Sequence, residues 1–282
     1  MRAVTRVIPH LVSPKWLAEH KGEPELRVVD VRWKLGDPVA GRRAYAKWHL
    51  PGAVFLDVDR DLAAPKGPGR HPLPSADAFA ENMSRIGVGD ATRVVAYDDM
   101  GGAVAARLWF LLRYFGHETA AVLDGGIQAW QAEELPLVHE EPKVVPARFS
   151  ARPRPELIVN RRAVADHAGL VLDARQPQRY RGDLEPIDPR AGHIPRAKNA
   201  PFVSNLLTVM GPFLQPEKLR AQYGQLGARN GADIICYCGS GATACHDLLA
   251  LELAGITGAR LYEGSWSDWS SDPAAPVATG NE

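Results

Sequence analysis

The sequence predicts an α/β protein made of two tandem domains, each a mostly parallel sheet with helices on both faces. Two observations predict this fold. First, the chain repeats itself: Val28-Val29-Asp30-Val31-Arg32 is echoed by Val171-Leu172-Asp173-Ala174-Arg175, and His49-Leu50-Pro51 by His193-Ile194-Pro195. Likewise Val94-Val95-Ala96-Tyr97 returns as Ile234-Ile235-Cys236-Tyr237, and Asp124-Gly125-Gly126 before Trp130 as Glu263-Gly264-Ser265 before Trp269. The order is kept at a nearly constant interval, which marks a duplicated domain; a solenoid would show many short repeats. Second, short β-branched runs alternate with longer helical patterns, the grammar of a parallel sheet covered on both sides.

In the first copy the strand-like runs are RVVDV, AVFLD, TRVVAYD and TAAVLDG, with a helical pattern over Ala105 to Gly116. In the second they are LVLDAR, ADIICYC and ARLYEG, with a helical pattern over Ala242 to Gly255. The stretch between the copies is rich in Pro, Glu and basic residues and has no apolar period, so it reads as a linker. The expected organisation is therefore a first domain over 1–138, a linker over 139–156 and a second domain over 157–282. In sheets of this kind ligands sit beyond the carboxyl ends of the strands, which directs attention to the loops there.

Composition narrows the function. Of 282 residues, 45% are apolar and 23% charged, the balance of a globular protein with a core in each half. Lys+Arg and Asp+Glu both number 33, so no basic excess points to nucleic acid or an anionic membrane. No stretch has the uncharged length of a membrane span, and the N-terminal run MRAVTRVIPHLVSPKW is broken by charges, so no signal peptide is expected. The three cysteines, Cys236, Cys238 and Cys245, crowd into ten positions. That is no disulfide framework and suits a cytoplasmic protein that keeps a cysteine for its chemistry.

The chemistry concentrates after the run Ile234 to Tyr237, where Cys238-Gly239-Ser240-Gly241-Ala242-Thr243-Ala244 leads into a helix. Glycines at 239 and 241 permit backbone angles that other residues resist. Such a turn can aim successive N–H groups at one point, and the helix N-terminus adds partial positive charge. Together these favour thiolate over thiol and suit the extra sulfur of a persulfide. Cys236 within a strand and Cys245 within a helix read as buried and inert. A zinc site from Cys236, Cys238, Cys245 and His246 is not expected, because no paired knuckle is present.

The run CGSGATA after a short apolar strand resembles the active-site loop of the rhodanese-like sulfurtransferases, and within them the loop of the 3-mercaptopyruvate sulfurtransferases. The resemblance includes the HxPGA-like segments and the DGG…W end of the first copy. It implies two tandem rhodanese-like domains, the first of them inactive: opposite Cys238 the first copy has Asp98. It also implies a relay of Ser240, His71 and Asp59, the last two from the first copy, and a carboxylate-binding arginine at Arg179 in Gln178-Arg179-Tyr180. Arg190, in Asp188-Pro189-Arg190, is the nearest match to a second arginine, with solvated surface charge as the alternative. Gly239, Gly241, Ala242 and Thr243 complete the expected donor-binding loop. Asp173 and His193 read as structural, since the repeat puts similar residues in the half without a cysteine.

The expected function is sulfur transfer from a small anionic donor, 3-mercaptopyruvate, through a Cys238 persulfide to cyanide, a thiol or a thioredoxin-like protein, by a monomer without metal or organic cofactor. Thiosulfate is the alternative donor; the neutral Gly239-Ser240 pair argues against it, because thiosulfate is a dianion. A cysteine phosphatase would need an arginine where Ala244 stands. A sulfur-binding module without turnover is the more distant alternative, and the presence of Cys238 argues against it.

Overall fold

A computed structural model describes residues 8–281; residues 1–7, on which the reading of the N-terminus partly rests, and Glu282 lie outside the described residues. The chain forms two compact units. Unit 1 contains the chain up to Ala64, Pro74–Arg154 and Thr208–Pro212; unit 2 contains Pro65–Leu73, Pro155–Leu207 and Phe213 onward.

Unit 1 runs β1 (Leu11–Val12), α1 (Pro14–His20), β2 (Leu26–Asp30), α2 (Ala40–Lys47), β3 (Val54–Phe55), α3 (Val58–Asp61), α4 (Ala76–Arg85), β4 (Arg93–Tyr97), α5 (Ala105–Tyr114), β5 (Ala120–Leu123) and α6 (Gly126–Ala132). Its five strands are all parallel in the order β1-β5-β4-β2-β3. Unit 2 runs β6 (Ile158–Val159), α7 (Arg161–Ala165), β7 (Leu170–Asp173), α8 (Pro177–Arg181), β8 (Lys198–Asn199), α9 (Pro216–Gln225), β9 (Ile234–Tyr237), α10 (Ala244–Leu253), β10 (Arg260–Tyr262) and α11 (Ser265–Trp269). The order β6-β10-β9-β7-β8 repeats that of unit 1, again all parallel.

Every residue of the central strands β4 and β9 is buried, so both faces of each sheet are covered, as continuous apolar runs demand. Local signals set the helix starts. Ser13, Ser75 and Asn160 accept the backbone N–H three residues on, capping α1, α4 and α7, while Pro216 opens α9 at the position where its missing N–H costs nothing.

The repeated landmarks make the same bonds in both units. Asp30 receives the Arg32 guanidinium and the Tyr97 hydroxyl, and Asp173 receives Arg175. Arg32 also reaches the Trp48 carbonyl, and Arg175 that of Gly192. His49 stacks on Tyr45 and His193 on Tyr180, with ring centroids 4.0 and 3.8 Å apart. Burial and the adjacent Asp30 hold the Tyr97 phenol well above its ordinary pKa; burial and Asp173 do the same to Tyr237. This scaffold is present in a half without a cysteine, as the structural reading of Asp173 and His193 anticipates.

Residues 139–154, expected as linker, lie along unit 1. Ala147 N donates to Ser84 O, Arg152 N to Phe115 O and Arg154 N to Tyr114 O. The Phe149 ring packs edge-on against Phe79 at 5.6 Å. Lacking an apolar period, the segment satisfies its backbone on carbonyls at the C-terminal ends of α4 and α5, which periodicity does not report.

Candidate active site

Cys238 follows β9 directly, at the carboxyl end of a central strand, and its side chain is buried. The turn from Cys238 to α10 is tied from behind by α11: Trp266 N donates to Cys238 O and Ser267 N to Gly239 O, both at 2.9 Å. Ser265 Oγ accepts the Cys238 N–H at 3.1 Å and donates to Tyr262 O. With its backbone fixed, Cys238 Sγ accepts the Gly241 N–H at 3.1 Å. Gly241 has φ +80°, which a side chain would strain, so glycine is required there for its backbone.

Gly239 is a different case. Its φ is not in the left-handed region; what it supplies is space. A Cβ there would stand 2.9 Å from Arg70 Nη2 and 3.4 Å from Arg179 Nη1. The expectation that both loop glycines serve unusual backbone angles is thus corrected at Gly239, where two guanidinium groups converge.

The segment Pro65–Leu73, though early in the chain, belongs to unit 2. Arg70 N donates to Ser267 Oγ at 3.0 Å and Leu73 N to Glu263. So anchored, the segment brings His71, which is 5% exposed, to the loop, where its Nδ1 stands 2.7 Å from Ser240 Oγ. Asp59 lies in unit 1, where its carboxylate accepts the Trp33 indole N–H at 2.8 Å.

Arg179 projects from α8 and is held by two carboxylates. Its Nε and Nη2 reach Glu185 at 3.2 and 2.7 Å, and Nη2 reaches Asp188 at 2.8 Å. Arg70 is bound to the same Asp188 through Nη1. Arg190 has another task. Its guanidinium donates to the carbonyls of Trp269, Ser270, Asp272 and Ala275, closing the turn after α11. That environment corrects the expectation of a donor-binding Arg190, since four of its five N–H donors are spent on backbone carbonyls and no two-pronged fork is left for substrate. Ala242 and Thr243 form the turn into α10, their carbonyls accepting from Cys245 and His246, and Thr243 makes no side-chain cap.

Sequence reasoning missed Arg70, Asp188 and Glu185. The one signal is adjacency: Arg70 precedes His71, and Asp188 lies two residues before Arg190. Of the other cysteines, Cys236 has no exposed surface and burial pushes its thiol well above the ordinary range, while Cys245 donates to Gly241 O at 3.2 Å. Among the described residues no cluster of three or more His, Cys, Asp or Glu is arranged to hold a metal, and no helix is long and apolar enough to cross a membrane.

Unit 1 contains a counterpart of this loop, one residue longer and without the thiol. Asp98 stands after β4 as Cys238 stands after β9, and Ile127 N donates to Asp98 O as Trp266 N does to Cys238 O. The Asp98 carboxylate turns inward and accepts four backbone N–H groups, from Met100, Gly102, Val104 and Ala105, at 2.7–2.9 Å. The strand–turn–helix is thus an anion nest, and in unit 1 the anion is part of the chain.

Comparison with known proteins agrees with this architecture. The family model for the rhodanese-like domain matches residues 13–133 and again 158–272. A Pseudomonas aeruginosa protein named "Probable 3-mercaptopyruvate sulfurtransferase" is 45% identical over 96% of this chain and 98% of its own length. The thiosulfate sulfurtransferase of Bos taurus is 36% identical, over 92% of this chain and 91% of its own. Among solved structures, SseA from Escherichia coli, a 3-mercaptopyruvate sulfotransferase with the rhodanese fold, superposes with a TM-score of 0.81 at 32% identity, covering 92% of this chain and all of that one. The chain belongs to the rhodanese family and carries two rhodanese-like domains in tandem.

Proposed function

We propose that this protein is a sulfurtransferase that takes sulfur from 3-mercaptopyruvate onto Cys238 and passes it to a thiophilic acceptor. The observation that carries the reading is the shared loop of the two units. In an aspartate the charged oxygen is the second atom beyond Cβ; in a cysteine persulfide the terminal sulfur holds that same place. The four N–H groups that grip Asp98 outline how the loop around Cys238 can grip a persulfide anion.

Arg179 binds the donor carboxylate through Nη1, the nitrogen not held by Glu185 or Asp188. The Cys238 thiolate attacks the donor sulfur, an S–S bond forms, and the C–S bond breaks with its electron pair leaving on carbon as the enolate of pyruvate. The proton of the donor thiol passes to that carbon, and the Ser240–His71 pair at 2.7 Å is the path for it. The products are pyruvate and a Cys238 persulfide. Cyanide, a small thiol or a thioredoxin-like protein then removes the outer sulfur and regenerates the thiolate. For Asp59 a part in the relay rests on the resemblance alone. Three free thiols in place of a disulfide framework suit a cytoplasmic location, and action as a monomer completes the reading.

The test is kcat/KM for 3-mercaptopyruvate with cyanide as acceptor, in the full chain and in Cys238→Ser. Turnover that disappears in the variant supports the reading. Turnover that survives it, or none in either protein, overturns it.

A further inference from the structure

The pair of guanidinium groups over Gly239 exceeds what one carboxylate needs. One cationic nitrogen is enough to hold a carboxylate by a charge-assisted hydrogen bond, and Nη1 of Arg179 supplies it. Arg70 brings a second positive charge to the same point. Its Nη1 is bound to Asp188, its Nη2 is the atom closest to the position of a Cβ on Gly239, and its Nε is buried with no acceptor among the described residues. Arg179 is held through Nε and Nη2, which leaves Nη1 facing the loop. Asp188 joins the two: its side chain is 2% exposed and one carboxylate oxygen goes to each arginine. The clamp keeps two cations side by side against their mutual repulsion, with one nitrogen of each turned to the turn that carries Cys238.

We infer that Arg70 is a second donor-binding residue, and that it sets specificity for donors with charge on the group left behind as well as on the transferred sulfur. The inference rests on the sulfurtransferase reading above. Thiosulfate is the simplest such donor. The Cys238 thiolate attacks its outer sulfur, an S–S bond forms, and the bond to the sulfonate sulfur breaks with its electron pair leaving as sulfite. Three negative charges enter the step and three leave it, two on sulfite and one on the persulfide, and no proton moves. A neutral Gly239-Ser240 turn thus gains the positive charge it lacks from Arg70, far back in the chain. A side chain at 239 would compete with Arg70 for the same space.

The test is a steady-state comparison of thiosulfate and 3-mercaptopyruvate, with cyanide as acceptor, in the full chain, Arg70→Gln and Arg70→Lys. We expect Arg70→Gln to raise KM for thiosulfate about 10- to 100-fold, the worth of one charge-assisted hydrogen bond, with less than about threefold change for 3-mercaptopyruvate. Arg70→Lys should recover most of the loss. Equal losses on both donors, an effect on kcat alone, or a lysine variant as impaired as the glutamine would overturn the inference. A second measurement is independent of turnover: sulfite should protect the parent protein against thermal unfolding, and protection undiminished in Arg70→Gln would also overturn it. Turnover of 3-mercaptopyruvate without thiosulfate overturns only this inference; turnover of neither overturns the sulfurtransferase reading itself.

Discussion

His71 Nδ1 stands 2.7 Å from Ser240 Oγ, across 169 residues of chain. The pair sits in the same unit as Cys238 because Pro65–Leu73 packs with the second half of the sequence. Only one of the two candidate donors requires a proton at its leaving group, so this contact separates them. Ser240→Ala and His71→Gln should each lower kcat/KM for 3-mercaptopyruvate by about a hundredfold, within the range of a lost general acid. Thiosulfate turnover should fall much less. Equal loss on both donors would mean that the pair only holds the loop in shape.

Gly239 and Arg70 compete for one space. Gly239→Ala places a methyl group 2.9 Å from Arg70 Nη2, the flexible end of a side chain that can swing away. We expect Gly239→Ala to fold normally and to lose thiosulfate activity by roughly tenfold, about 1.4 kcal/mol. The double variant with Arg70→Gln should be scarcely worse than Arg70→Gln alone, because both changes remove the same guanidinium. Additive losses in a double-mutant cycle would count against this.

The three thiols differ in reactivity for reasons of place. Cys236 is buried in β9, where burial pushes its thiol well up, and Cys245 is buried in α10. Alkylation of the folded protein by iodoacetamide, read by peptide mass spectrometry, should modify Cys238 alone, and prior loading with donor should protect it. Modification of Cys236 before Cys238 would contradict the assignment.

Asp247 gives a pH signature. It is fully buried in α10, burial pushes its carboxyl well above the usual range, Asn205 Nδ2 donates to its Oδ1 at 2.8 Å, and its Oδ2 has no hydrogen-bond partner among the described residues. The folded state therefore holds a proton that the unfolded chain releases. Stability from this group is full below about pH 4 and is lost as pH rises toward the folded pKa. Asp247→Asn keeps the acceptor and removes the titration, so its Tm relative to the parent should rise between pH 5 and pH 8. A pH-independent difference would refute the protonated state.

Asp98→Ala should leave four N–H groups of unit 1 unpaired, three of them buried and that of Met100 part-buried. At about 1–3 kcal/mol for each such group, with incomplete additivity, we expect a loss of about 3 kcal/mol or more in urea unfolding. A neutral outcome would mean that the loop relaxes without its anion.

The duplication, the parallel sheets and the nucleophile were legible because each leaves a local mark: a repeated landmark, an apolar run, a thiol before a glycine turn. The edge strands β1, β6 and β8 were not, since two residues carry no period. Nor was Arg70, whose role depends on a turn far along the chain and on Asp188 between the two arginines. Arg190 misled for the converse reason: its sequence neighbours suit an active site, and its spatial neighbours are four backbone carbonyls.

The carboxylate of Asp98 also bears on how a duplicated protein diverges. Losing a nucleophile commonly leaves a cavity or an unsatisfied polar pocket, and the redundant copy then decays. Here aspartate removes the reactive group and at the same time provides a permanent tenant for the amides around it. In unit 1 the copy is silent and its loop amides are nonetheless paired. Lineages built on it can accumulate inert modules as readily as active ones, and the residue after the fourth strand of the repeat tells them apart.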